Sequence, residues 1–149
     1  MEADADRRIK NMKTKIVAII SILLGILAAI GPKTVFPVCQ SGMMKMKCYD
    51  MAQAELVVGL IAAGVGAGIL FVKAKKVKLI LSLAEIILGL LILLLPTVII
   101  GVCGSPMMHC VSITKPALLV IGILEIVTGI LLTVFALQDF KVFEKVKEI

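Results

Sequence analysis

The sequence predicts an all-α integral membrane protein: a four-transmembrane-helix bundle built from a duplicated helical hairpin. The first observation is composition. Of 149 residues, 60% are hydrophobic and 17% charged, with a mean hydropathy of +1.13, against roughly 45–50% apolar and about 25% charged in a soluble domain. The second is four long apolar runs, and the third is an internal repeat. Length allows a single membrane domain over residues 1–149. The net charge of +6 comes from short basic clusters between apolar runs, without the basic face or exposed aromatics of a nucleic-acid binder.

A span needs about 20 mainly apolar residues to cross roughly 30 Å of hydrocarbon. Four stretches qualify, at about 16–36, 52–72, 79–102 and 117–137. None alternates with period two, and in lipid the backbone must satisfy itself, so each is a helix. The first has a basic flank (Arg7, Arg8, Lys10, Lys13, Lys15) and small residues at Ala28 and Ala29, features shared with signal peptides; it is expected to be a retained span.

Lys and Arg set the direction. Five lie in the N-terminal arm, four in the turn after the second span (Lys73, Lys75, Lys76, Lys78) and three in the tail (Lys141, Lys145, Lys147). Lys45, Lys47 and Lys115 fall in the other two loops, at about 37–50 and 103–115, and Lys33 lies beside the first of them. The chain is therefore expected in the plasma (cytoplasmic) membrane with both termini cytoplasmic and all four cysteines outward. Asp50, with Gln53 three residues on, has the pattern of a capping box for the second helix, and Thr114 precedes the fourth, with Pro116 in its first turn. The tail mixes Phe140, Phe143 and Val146 with Lys and Glu, as an interfacial helix would.

The repeat is the most specific signal. Pro32–Met44 reads PKTVFPVCQSGMM and Pro96–Met108 reads PTVIIGVCGSPMM. At a constant offset of 64, Pro32 matches Pro96, Cys39 matches Cys103, and Met43 and Met44 match Met107 and Met108. The same offset carries Ser21 onto Glu85 and Gly25 onto Gly89. Glu55-x-x-x-Gly59 and Glu125-x-x-x-Gly129 correspond at a different offset. Two copies of a two-span unit keep one direction, which predicts an axis near the membrane normal. Gly64-x-x-x-Gly68, with Ala63, Ala67 and Gly59 nearby, makes the second helix the expected central packing helix, with a dimer interface as the rival reading.

Glu55, Glu85 and Glu125 sit in otherwise apolar spans. A carboxylate at the bilayer centre costs at least about 2.5–3.5 kcal/mol, so each should face the bundle and be protonated or paired. Glu55 lies about one turn below the outer surface. Glu85 and Glu125 could meet near the midplane, with Ser21, Ser82 and Thr128 at similar depths. With no Lys, Arg or His inside the spans, packing through a hydrogen-bonded Glu is preferred to a proton or cation relay.

The outward loops carry the sulfur. Cys39 and Cys48 flank Met43, Met44 and Met46; Cys103 and Cys110 flank Met107, Met108 and the only histidine, His109. Structural disulfides among Cys39, Cys48, Cys103 and Cys110 rank first, in whichever pairing. Soft-metal or ligand binding by the Met residues and His109 ranks second, with copper as the metal and otherwise no cofactor. Thiol–disulfide exchange ranks third. Membrane oxidoreductases of the quinone-linked and vitamin K epoxide reductase families also have four helices and outward cysteines, but they use C-x-x-C, whereas eight and six residues separate these pairs.

The doubled C…M…C loops, Ala54–Glu55 and Pro116 resemble a family of small prokaryotic four-span membrane proteins, a domain of unknown function, over nearly the whole chain. The resemblance implies topology and no activity. The expected role is non-enzymatic: an accessory or binding subunit in the lipid bilayer whose loops recognise a ligand or another membrane protein, such as a transporter subunit. No nucleic acid is expected.

The orientation has a direct test. A membrane-impermeant thiol reagent should label the cysteines of reduced, intact cells. Labelling only after lysis would reverse the orientation.

Overall fold

The computed structural model describes residues 2–34, 47–99, 113 and 115–148. Among them the elements are helices: α1 (Glu2–Thr34), α2 (Lys47–Phe71), α3 (Lys75–Leu94), a π-helical continuation α4 (Leu95–Ile99), and α5 (Lys115–Glu148). Four of the described helical stretches are long and apolar enough to span a membrane: Asp4–Gly31, Ala52–Phe71, Lys75–Val98 and Lys115–Glu148. They form an antiparallel bundle. α1 packs most extensively on α2 and α3 on α5, with α2–α3 and α1–α5 closing the ring. Large apolar side chains such as Leu23, Leu60, Ile80, Ile87 and Val120 point outward, as a lipid environment requires.

Helix ends depart from the expected caps. α2 begins at Lys47, so Asp50 lies inside its first turn and contributes there as an acid near the positive end of the helix dipole. Ala74, extended at φ −69° and ψ 123°, precedes α3 with no side-chain cap. Thr114 lies outside the described residues, while Pro116 sits in the first turn of α5 as expected. The tail continues helically from the fourth span, as expected. α5 runs unbroken for 34 residues, about 50 Å at 1.5 Å per residue, well beyond the hydrocarbon thickness. Gln138–Glu148 therefore prolong the span. Lys75 ties the α2–α3 turn to this extension, its Nζ 4.5 Å from the Phe143 ring centre and 3.5 Å from the Asp139 carbonyl.

Pro96 explains the π-helical segment. Proline has no N–H to give and its ring crowds the carbonyl four residues back, and a widened turn accommodates both. Thr97 Oγ1 donates to the carbonyls of Leu93 (2.9 Å) and Leu94 (3.3 Å), hydroxyl help of the kind that lets a proline persist in a span.

Packing depends on six glycines, and they correct the expected motif. A Cβ on Gly25 would lie 2.8 Å from the Ala63 nitrogen, and one on Gly59 would lie 2.6 Å from the Ala29 nitrogen. In the other half, a Cβ on Gly89 would lie 2.9 Å from the Ile126 nitrogen, and one on Gly122 3.1 Å from the Leu93 nitrogen. Gly66 against Ile22 and Gly129 against Ile86 complete the set, at 2.9 and 2.8 Å to Cγ1. Gly64 meets nothing within 4 Å and Gly68 only a Leu81 methyl at 3.5 Å. The Gly64-x-x-x-Gly68 pair therefore does not hold the bundle together, whereas Gly59 does.

These contacts fix the repeat register. Gly25, Ala29 and Ile22 map onto Gly89, Leu93 and Ile86 at the expected offset of 64, while Gly59, Ala63 and Gly66 map onto Gly122, Ile126 and Gly129 at 63. The two E-x-x-x-G sequences are therefore not structural equivalents. Glu125 corresponds to Ala62, and Glu55 to Leu118. Their sequence match is slipped by seven residues, nearly two full turns, so it keeps the same helix face and periodicity alone does not reveal the slip.

Gly59→Leu should therefore destabilise the bundle by about 1–3 kcal/mol or more through forced separation of α1 and α2, while Gly64→Leu leaves monomer stability nearly unchanged. Unfolding in detergent compares the two, and equal losses would refute this packing.

Candidate functional site

Each of the three membrane acids is fully buried. Glu85 comes from α3 and Glu125 from α5, both on the inward faces that carry the close-packed Gly89 and Gly122. Ser21 of α1 reaches them across the bundle. Its Oγ hydrogen-bonds Glu85 Oε1 and lies 2.9 Å from Glu125 Oε1. Ser21 and Glu85 are related by the 64-residue offset, and two equivalent positions can touch each other only beside the axis that relates them. The polar centre thus straddles the pseudo-twofold axis. Ala62, the counterpart of Glu125, supplies no polar group there.

The expected meeting of Glu85 and Glu125 is what the structure contains, but of the three hydroxyls only Ser21 serves both. Ser82 Oγ donates to the Leu79 carbonyl at 2.8 Å and Thr128 Oγ1 to the Glu125 carbonyl at 2.8 Å, each within its own helix. A hydroxyl has one hydrogen, so Ser21 either shares it between the two carboxyl oxygens or donates to one and accepts from the other, protonated. Glu85 Oε2 and Glu125 Oε2 are buried with no hydrogen-bond partner among the described residues. Above and below, the site is closed by apolar layers: Ala28, Ile92 and Ile121 toward the loop end, and Ala18, Ile69 and Leu132 toward the termini.

Glu55 stands apart. It lies on α2 eight residues from the start at Lys47, roughly 12 Å along the axis, and neither of its carboxyl oxygens has a partner among the described residues. Beside it in the fold, α2 contacts the π-helical turn that holds buried Pro96.

The sulfur-rich candidates cannot be placed the same way. Cys39, Met43, Met44, Met46, Cys103, Met107, Met108, His109 and Cys110 lie outside the described residues, and of Cys48 only its backbone, in the first turn of α2, is described. Sequence reasoning missed Gly66 and Gly122 as packing positions. Their signal was present, because Gly59 and Gly66 repeat the seven-residue spacing of Gly122 and Gly129.

Four apolar helices packed through glycine, with acids turned inward, define a multi-pass helical membrane protein. The chain belongs to the family described as domain of unknown function DUF4418, whose profile matches residues 21–136. Comparison with curated proteins and with solved structures returned no match.

Two substitutions test this centre. Ser21→Ala should cost about 1 kcal/mol, the scale of an interhelical hydrogen bond in a membrane. Glu125→Lys should prevent accumulation of folded protein, because its buried ammonium has no route to the surface. Normal yield and melting of the Lys variant would show that Glu125 faces water.

Proposed function

We propose that the chain is a non-enzymatic membrane protein, an accessory or binding subunit whose two Cys- and Met-rich segments together form one recognition cap on the extracytoplasmic side. The observation that carries this reading is where those segments attach. The first joins Thr34 of α1 to Lys47 of α2, and the second joins Ile99 to Lys115 of α5. All four points lie at the bundle end opposite the termini, and the pseudo-twofold relates the two pairs of helix ends. Two segments that resemble each other in sequence thus leave the membrane side by side.

Disulfides within Cys39–Cys48 and Cys103–Cys110 would each supply about 2–4 kcal/mol toward ordering such short segments. Met43, Met44, Met107 and Met108 would then offer flexible, polarisable contacts suited to an apolar partner, such as the exposed helices of a transporter subunit. The positive charge at the other end, from Arg7, Arg8 and the lysines of the α2–α3 turn, supports cytoplasmic termini in the plasma membrane.

Replacing each cysteine pair by Ser should lower thermal stability more than changing the four Met residues to Leu, and the Leu variant should lose partner capture on cross-linking. If the Leu variant instead loses stoichiometric copper while the Ser variants stay folded, the loops are a soft-metal site and the recognition reading fails.

A further inference from the structure

We propose that Glu85, Glu125 and Ser21 form a proton-binding site on the bundle axis that exchanges its proton with the membrane face bearing the termini, through Ser82 and a small polar cavity. Several independent features converge on it. A single Ser21 hydrogen serves two carboxyl oxygens, and a proton on one carboxyl would complete the set of bonds. The second oxygens of both carboxyls are buried and unpartnered among the described residues, leaving positions for a further hydrogen or a transient water. Finally, a cavity of about 10 Å³ is lined by Thr14, Lys78, Ser82 and Asp139, with Ile69 and Leu132 as its apolar floor. That is room for about one water, and its lining is polar enough to hold one.

Ser82 lies between the two, its hydroxyl donating to the Leu79 carbonyl. It is buried, lines the cavity, and lies three residues before Glu85 on α3, roughly 4.5 Å along the axis. A second cavity of about 30 Å³ shares Thr14, Ile69 and Lys78 and adds Asn11 and Lys15, extending the polar approach toward the termini. Toward the loops the acids meet an apolar layer. Ala28, Ile92 and Ile121 cover the acids there, and Glu55 lies beyond that layer.

The charged groups around the site are few. α1 contributes Lys15 at the second cavity, α3 Lys78 at both and α5 Asp139 at the first, while on the far side α2 carries Glu55, with Lys47 and Asp50 in its first turn. Between the cavity and the acids, none of the four helices carries a charged residue. The step is a simple transfer. A hydronium in the cavity gives its proton to a carboxylate oxygen and leaves as water, and release is the reverse. No other reactant is consumed. Passage requires a momentary opening between Ile69 and Leu132, so exchange is gated by that floor.

Infrared spectroscopy of the full-length protein in liposomes tests this. The spectrum of the wild type minus that of E85Q or E125Q isolates the pair from Glu55. A carboxylic-acid C=O band is expected in at least one difference, moving to its deuterated position on transfer to D2O. Should the Gln variants fail to fold, S21A keeps both acids and is expected to shift the band by removing their shared hydroxyl. S82V should slow exchange roughly tenfold, equivalent to about 1.4 kcal/mol on the barrier, and L132A should speed it by removing part of the floor. E55Q should change neither rate nor difference band. A folded wild type without the band, or wild-type exchange in both S82V and L132A, would overturn the proposal. So would loss of the band on adding sodium at fixed pH, which would make the site one for a metal cation.

Discussion

The close approach of backbones at six glycines is the constraint on which the rest of this structure depends. Between helices in lipid there is no hydrophobic force to gain, because the surrounding tails are as apolar as leucine. What remains is dispersion and hydrogen bonding, and both fall off steeply with distance. With a side chain at Gly25, Gly59, Gly89 or Gly122, the facing backbone would have to retreat. The separation set there decides which side chains reach the bundle axis, and therefore where Ser21, Glu85 and Glu125 meet.

The centre formed this way is asymmetric although the scaffold is not. The packing contacts of one half reappear at equivalent residues in the other, yet the first half gives the axis a serine and an alanine where the second gives two glutamates. One hydroxyl bridging two acids limits the number of unpartnered polar groups that the core must hold, since each costs free energy where no water can replace the missing bond. Apolar layers above and below keep that centre from being a continuous pore. The layer toward the termini is the thinner in function, because Ser82 interrupts it and a polar cavity abuts it.

The two ends of the bundle differ in kind. At one, α1 and α5 continue as helices beyond the apolar layer, and Lys75 braces the turn against Phe143 and Asp139. At the other, prolines in α1 and in the π-helical turn mark the exits to two related sulfur-rich segments. Charge and helical extension concentrate at the first end, sulfur at the second. The proposed recognition surface and the proposed proton path therefore fall at opposite ends.

The sequence by itself determined the membrane class, the four spans, the duplicated hairpin and the inward direction of the acids, because each follows from hydropathy, length or a local match that needs no partner. It also pointed to the α1–α3 offset, where Pro32, Cys39 and the methionines of the first copy leave no ambiguity against those of the second. Only tertiary structure decided the α2–α5 register, since a slip of seven residues preserves the helix face and both alignments match glycine to glycine. Only tertiary structure demoted Gly64 and Gly68 and promoted Gly66 and Gly122, because small residues look alike until a neighbour's backbone lies against one of them. The choice of Ser21 over Ser82 and Thr128 as the bridge was decided by which hydroxyl faced the axis and which could satisfy itself on its own helix.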